Sequence, residues 1–329
     1  MKSVLTHQKL SMHDEGQRHH YIPVCYLKQW INNKNQICQY SKPHQNRVVP
    51  NRLHPSATGY VRGLYDLIDT EDQEVREALE REFMRPIDTR AADLLREMTG
   101  NMQTMNNIEK RSAWTTFILS LMMRNPEDIR LHKAKYIADW YKSDPKRRKF
   151  YKKIWRPGLP NRVEDIIAMF DPKEIERRAM EALVPLITNP RIGEFINRMR
   201  WGTLILPPFA PVLLTSDRPL IVSNGIINED SHILIPIGPK HIFYAVNNGG
   251  VVDYLKARNP AEMAFIINRS VTQQAVTYVY AQWDIHRKFV QEYMGTAQLP
   301  SLIERMQDTP AAQKGYKRLQ RLRRKGLLP

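Results

Sequence analysis

Residues 107–124, NIEKRSAWTTFILSLMMR, form the stretch that decides how the middle of this chain folds. Its large apolar side chains recur at intervals of three and four residues, the spacing of one helix face: Trp114, Phe117, Ile118, Leu121 and Met122. Pro126 then prevents simple continuation, because proline disfavours helical backbone in the residue before it. The sequence therefore predicts a helix over residues 107–124 with an apolar face in the core.

The stretches on either side are also predicted to be helical. Upstream, Thr70 and Gln73 form a capping-box pair before apolar residues at helical spacing, and Gly100 closes that helix. Pro86 lies inside it and should kink or divide it, because proline removes a backbone donor. Downstream, proline-separated patterns predict helices over residues 127–141, 163–170, 173–187 and 191–201.

At Gly202 the pattern changes to that of strands. Short β-branched or apolar runs between turns predict strands at residues 203–206, 212–215, 220–222, 232–237 and 242–246. Asn259-Pro260, a cap followed by proline at the first helical position, predicts a helix over 259–282, although 271–281 could instead be a strand. Residues 1–68 indicate irregular structure with one short helix near 24–30 and a strand at 36–40.

These patterns predict the α+β fold class, predominantly helical with a small, mainly antiparallel sheet. We expect one integrated domain over residues 1–283. Its parts are a His-containing irregular segment at 17–68, a helical part at 69–201, a β-rich part at 202–247 and a helix at 259–282. Residues 284–329 are predicted to be a basic C-terminal extension.

Composition narrows the partner and the compartment. The 329 residues include 50 Lys and Arg against 34 Asp and Glu, a formal net charge of +16, which favours nucleic acid as the partner. Cys25 and Cys38 cannot build a disulfide framework, which favours a reducing, cytoplasmic location. No segment approaches the about 20 apolar residues of a membrane span, and no secretory signal is evident. The composition leaves the oligomeric state open.

The residues richest in chemistry precede the core-building segments: Arg18-His19-His20-Tyr21-Ile22-Pro23. Paired histidines before proline partly resemble the opening of an HNH-type nuclease motif, in which His activates water and a metal stabilises the leaving oxygen. Asn46 and His54 are the nearby candidates to complete it, but the segment between them is not convincingly helical. Alternatively, His20 is structural and fixes the start of the first helix through a hydrogen bond.

A zinc site is a further hypothesis for this region. It would use four potential ligands: His20, Cys25, Cys38 and His44. These residues lack the close ligand pairs that structural zinc sites normally contain, so a buried free thiol is the favoured interpretation of Cys25.

Several short motifs occur in order along the chain: His20-Tyr21-Ile22-Pro23, Tyr26-Leu27, Tyr65, Glu82, Arg124-Asn125-Pro126, Thr215-Ser216-Asp217-Arg218-Pro219, Ile235-Pro236-Ile237-Gly238-Pro239 and Asn268. Together, over roughly residues 17 to 282, they resemble the bacterial family called domain of unknown function 4238. The resemblance implies a helical protein with a small β segment and implies little chemistry. The chain departs from the family in having Arg218 where Asn is common, and in its basic extension.

Three charged residues at family positions accompany His20: Glu82, Arg124 and Asp217. Histidine, arginine and carboxylates together have the composition of a metal-assisted phosphodiester-cleaving site. In that hypothesis His20, with His19 beside it, moves a proton and Arg124 neutralises phosphate charge. Glu82 and Asp217 bind Mg²⁺ or Mn²⁺, and zinc is the less favoured metal. The alternative is a buried ion-pair network, with Asp217 as a turn former.

The most cationic segment interleaves basic and aromatic residues: Lys146, Arg147, Arg148, Lys149, Phe150, Tyr151, Lys152, Lys153, Trp155 and Arg156. Cations can bind backbone phosphates while aromatic rings stack on exposed bases. The C-terminal tail adds further cations, among them Arg321 and Arg324. The alternative is a solvated charged face whose aromatic side chains turn into the core.

The sequence therefore leaves three functional hypotheses. The first is a metal-dependent hydrolase acting on nucleic acid, nuclease-like and of the phage-defence or conflict type. The second is a non-catalytic RNA- or DNA-binding module, and the third is a protein-interaction subunit whose positive charge serves an acidic partner.

Overall fold

The computed structural model describes residues 18–44, 46–66, 77–100, 107–142, 144–223 and 226–297. Its α-helices span Val24–Leu27, Arg85–Gly100, Ile108–Met123, Pro126–Tyr141, Pro145–Ile154, Val163–Ala168, Pro172–Glu181, Leu183–Ile187, Pro190–Arg198, Gly249–Ala257, Pro260–Gln273 and Arg287–Tyr293. The strands are β1 (Arg18–His20), β2 (Ile37–His44), β3 (Arg47–Leu53), β4 (Tyr60–Arg62), β5 (Arg200–Ile205), β6 (Thr215–Ser216), β7 (Ile221–Ser223), β8 (His232–Gly238), β9 (His241–Val246) and β10 (Val279–Ala281). The predicted α+β class, mainly helical with small antiparallel sheets, is confirmed.

The helix Ile108–Met123, called the central helix below, begins and ends where the sequence predicts. The side chain of Asn107 caps it by accepting hydrogen bonds from the backbone N–H groups of Glu109 and Lys110. Trp114 and Phe117 are fully buried in the main core, and the ring of Trp114 also contacts the ring of Phe243 on β9 edge-on.

In the described part of the chain, neither this helix nor any other is long and apolar enough to cross a membrane.

The preceding helix changes its type next to Pro86, the residue at which the sequence predicts a kink or a division. Residues Glu80–Met84 form a π-helical turn, and the α-helix Arg85–Gly100 continues from it. Pro86 cannot donate a backbone hydrogen bond, so the hydrogen-bonding pattern changes beside the residue that interrupts it. The capping-box pair Thr70 and Gln73 lies outside the described residues.

The most regular sheet, called the third sheet below, matches the predicted β-rich part. Its antiparallel order is β5-β9-β8-β7. The strand predicted at 212–215 is wrong except for its last residue, Thr215, which begins β6. In the residues before it, the side-chain amide of Asn268 takes the backbone hydrogen bonds that a neighbouring strand would otherwise make. Asn268 accepts from the N–H of Leu214 at 2.7 Å and donates to the carbonyl of Val212 at 2.9 Å.

A second sheet, of order β3-β2-β10-β6, joins distant parts of the chain. Val279 on β10 pairs with Tyr40 on β2 and with Ser216 on β6, all antiparallel. The helix predicted over 259–282 therefore ends at Gln273. Of the alternative strand at 271–281, only the last three residues form a strand, which is β10. The remaining sheet has two strands and pairs β1 with β4.

Two segments behave differently from the sequence prediction. Residues Pro145–Ile154 form a helix, called the basic helix below, that the spacing of apolar residues does not predict. The described part of the basic extension packs on the second sheet, since the side chain of Gln291 accepts from the N–H of Val48 at 2.7 Å. The boundary predicted at residue 284 therefore falls within packed structure.

Candidate functional site

Arg124, at the C-terminal end of the central helix, is the most constrained of the predicted site residues. Its side chain is fully buried, and its Nη1 donates to Oδ1 of Asp88 at 2.8 Å. Its Nε and Nη2 atoms are also buried and have no hydrogen-bond partner among the described residues. The Asp88 side chain keeps 24% of its surface exposed, so the ion pair lies at the edge of the core.

His20 lies beside this pair at the end of β1. Its Nε2 donates to the backbone carbonyl of Ser56 at 3.3 Å, and the hydroxyl of Tyr65 donates to the His20 carbonyl at 3.4 Å. Burial, and then the positive charge of Arg124, lower the pKa of His20. The imidazole is therefore neutral at neutral pH, which is the form that can accept a proton.

Glu80, and not the predicted Glu82, is the glutamate on the inner side of this region. Burial, with a smaller contribution from the charge of Asp88, raises the pKa of Glu80 to about 7. Glu82 is 68% exposed in its side chain and pairs locally, with Arg81 at 2.9 Å. Residues two positions apart point to nearly opposite sides of a helix, so an inward Glu80 requires an outward Glu82.

His19 has a structural environment. The ring is fully buried, stacks on Tyr65 and accepts a hydrogen bond on Nδ1 from the Tyr65 backbone N–H at 2.8 Å. Burial lowers the pKa of His19 to about 4, and the Asp66 carboxylate lies 3.7 Å from Nε2. The structure thus places His19 where it fixes the turn that carries Tyr65.

Asp217 anchors a loop through backbone hydrogen bonds. Its Oδ1 accepts from the N–H of Val276 at 3.0 Å, and its Oδ2 accepts from the N–H groups of Thr277 and Tyr278 at 2.5 and 3.0 Å. Burial raises the pKa of Asp217 to about 6, and the three amides oppose that shift. These contacts match the turn-forming alternative for Asp217.

The structure therefore brings together His20 and Arg124, and adds Asp88 and Glu80 in place of the expected carboxylates. We call these four residues the Arg124 cluster. Sequence reasoning missed Asp88, although it directly follows Ile87, which is buried in the apolar face of its helix. The signal in the sequence was a carboxylate next to a position that the helical spacing places in the core.

Metal ligands were a further prediction. Among the described residues, no group of three or more His, Cys, Asp or Glu side chains is placed to hold a metal ion. The proposed zinc ligands are distributed over different surroundings: the Cys25 thiol donates to the Asp88 carbonyl at 3.4 Å, whereas Cys38 lies in the core of the second sheet. Both cysteines are free.

The basic helix exposes most of its charge. Among the described residues, four exposed lysines on it have no ion pair: Lys146, Lys149, Lys152 and Lys153. Two neighbouring arginines are engaged, since Arg148 pairs with Glu164 at 2.5 Å and Arg147 donates to the carbonyl of Trp140 at 2.7 Å. Tyr151 is the only aromatic side chain of this helix that is buried, whereas Phe150 is 62% exposed.

Trp155, which directly follows the basic helix, is 44% exposed. The alternative in which all aromatic side chains of this segment turn into the core therefore does not hold. We call the four unpaired lysines, Phe150 and Trp155 the basic surface. The other predicted nucleic-acid contacts, Arg321 and Arg324, lie outside the described residues.

A comparison with protein-family models tests the family resemblance that the motifs suggested. The model of a protein family of unknown function, DUF4238, matches residues 18–284. The chain belongs to the DUF4238 family. No curated protein and no solved structure matches this DUF4238 chain. The Arg124 cluster and the basic surface both lie inside the matched region, so function has to be argued from their geometry.

Proposed function

We propose that this protein binds nucleic acid through the basic surface. The observation that carries the proposal is the set of four exposed lysines, without ion pairs in the described part of the chain, beside two exposed aromatic rings on one short segment. Lysine side chains bind backbone phosphates and release counterions, and aromatic rings supply faces for bases. The net charge of +16 acts in the same direction over longer distances.

The spacing of these lysines supports the proposal. Lys146, Lys149 and Lys153 follow each other at intervals of three and four, so they are neighbours on one helix face. Like charges at this spacing destabilise a helix by a few tenths of a kcal/mol per pair. An anionic partner would remove that repulsion, whereas none of these lysines forms an ion pair within the described part of the chain.

Neutralising the basic surface should reduce binding strongly. We expect a variant with glutamine at residues 146, 149, 152 and 153 to bind labelled RNA or DNA at least on the order of 100-fold more weakly at about 50 mM salt. Glutamine has nearly the helix propensity of lysine, so the helix should persist. Equilibrium binding measured by fluorescence anisotropy checks this.

The matched control removes the same number of exposed charges from other elements, with glutamine at Lys34, Arg90, Lys256 and Lys288. It should bind nearly as well as the unmodified protein. Equal losses in both variants would show that only the total charge matters and would contradict the assignment to the basic surface. No binding by the unmodified protein at low salt would refute the proposal itself.

A second candidate function, phosphodiester hydrolysis, is favoured by one observation in the Arg124 cluster. Two buried nitrogens of Arg124 lack hydrogen-bond partners among the described residues, beside a neutral His20. Because Arg124 is buried, a substrate phosphate reaches these donors only if the residues that cover the cluster move. The guanidinium can then stabilise phosphate charge, and a neutral imidazole can take a proton from water. Asp88 and Glu80 are the nearby carboxylates, and Mg²⁺ is often bound by one or two carboxylates together with substrate phosphates.

Hydrolysis makes its own prediction. Labelled RNA and DNA incubated with Mg²⁺ or Mn²⁺ should be cleaved by the unmodified protein, and His20→Ala should lower the rate at least roughly 100-fold, the usual contribution of a general base. His232→Ala, which changes a histidine on β8, serves as the control and should cleave normally. Undiminished cleavage by His20→Ala would exclude His20 as the base.

A further inference from the structure

A small cleft lies at the C-terminal end of the basic helix. It has a volume of about 200 Å³ and is lined by Tyr151, Lys152, Trp155 and Asn161. The Tyr151 hydroxyl and the Trp155 indole N–H both donate to the carbonyl of Pro160, at 2.6 and 3.1 Å. One carbonyl therefore holds both rings in place, although Trp155 remains partly exposed to solvent.

The size and chemistry of the cleft restrict what it can accept. Sites for drug-sized ligands usually measure roughly 300–1,000 Å³, so this cleft fits a single ring system better than a large molecule. Its lining supplies the aromatic face of Trp155, the amide of Asn161 and the ammonium group of Lys152. An amide both donates and accepts hydrogen bonds, as the edge of a nucleobase does.

We propose that this cleft stacks one unpaired base of a single-stranded nucleic acid against Trp155. Lys152 then binds the adjoining phosphate, and Asn161 meets the edge of the base. This inference rests on the proposed nucleic-acid binding and narrows it to single strands. In a duplex the faces of the bases are already stacked on each other, so a duplex can reach the lysines but cannot fill the cleft.

The test compares Trp155→Ala and Trp155→Phe with single-stranded and duplex oligonucleotides of equal length, by fluorescence anisotropy at low salt. Trp155→Ala should weaken single-strand binding roughly 5- to 150-fold, the range expected for loss of one base-aromatic stack. Duplex binding should change by less than about twofold. Trp155→Phe keeps an aromatic face and should recover most of the single-strand affinity.

Each outcome has a distinct meaning. Single-strand affinity that is unchanged in Trp155→Ala, or that falls equally for duplex and single strand while circular dichroism shows the variant to be folded, overturns base stacking while nucleic-acid binding stands. Binding of neither nucleic acid by the unmodified protein defeats both proposals. The duplex measurement also reports folding, because a variant that has lost the basic helix would lose duplex affinity as well.

Discussion

Replacing Asp217 with alanine is expected to lower the free energy of unfolding by about 3–5 kcal/mol. The carboxylate accepts hydrogen bonds from three backbone N–H groups, those of Val276, Thr277 and Tyr278. Each buried donor left unpaired costs roughly 1–3 kcal/mol, and penetrating water recovers part of the sum. Urea unfolding followed by circular dichroism measures the change.

The conservative variant Asp217→Asn keeps one acceptor oxygen, so it should lose only about 1–2 kcal/mol. It also provides a result if the alanine variant does not fold. Folded Asp217→Asn should retain nucleic-acid binding, since the basic surface is on a different element. An alanine variant as stable as the unmodified protein would contradict the structural role assigned to Asp217.

The second large effect is expected at the ion pair between Arg124 and Asp88. Asp88→Asn should lower the free energy of unfolding by about 3–4 kcal/mol, because the fully buried guanidinium then lacks its charged partner and cannot neutralise itself by losing a proton. Arg124→Met should cost less, about 2–3 kcal/mol, since the partly exposed Asp88 carboxylate can be hydrated.

A double-mutant cycle shows whether the two residues act on each other. The double variant Asp88→Asn with Arg124→Met should lose at least about 1.5 kcal/mol less than the sum of the single losses. Glu82→Gln, in the neighbouring π-helical turn, changes an exposed side chain and should stay within about 0.5 kcal/mol. Additive losses at Asp88 and Arg124 would contradict the coupling that the 2.8 Å ion pair implies.

Local sequence signals predicted most of the helices and the strands of the third sheet. The central helix carries an apolar stripe and an Asn cap, and Asn259 with Pro260 marks the start of its helix, so both follow from neighbouring residues. The basic helix was missed because periodicity depends on apolar residues, and among its side chains only Tyr151 is buried. Its cap at Asp144 was the remaining signal.

Long-range pairing could not be predicted in the same way. The second sheet depends on β10, a strand of three residues that pairs with β2 from the other end of the chain, and no local pattern specifies such a partner. The candidate site has the same difficulty. Family positions pointed to Glu82, but which glutamate turns inward depends on how this helix packs on the rest of the chain, and there Glu80 and Met84 are the buried residues of the π-helical turn.

The dependence of affinity on salt tests the central claim most directly. The dissociation constant for a labelled single-stranded oligonucleotide should be measured between about 50 and 200 mM salt, for the unmodified protein and for the variant with glutamine at residues 146, 149, 152 and 153. If these lysines bind phosphates, the slope of log affinity against log salt should be shallower in the variant by about 3, near 0.7 for each phosphate that is no longer neutralised. Equal slopes would show that the basic surface does not bind the nucleic acid.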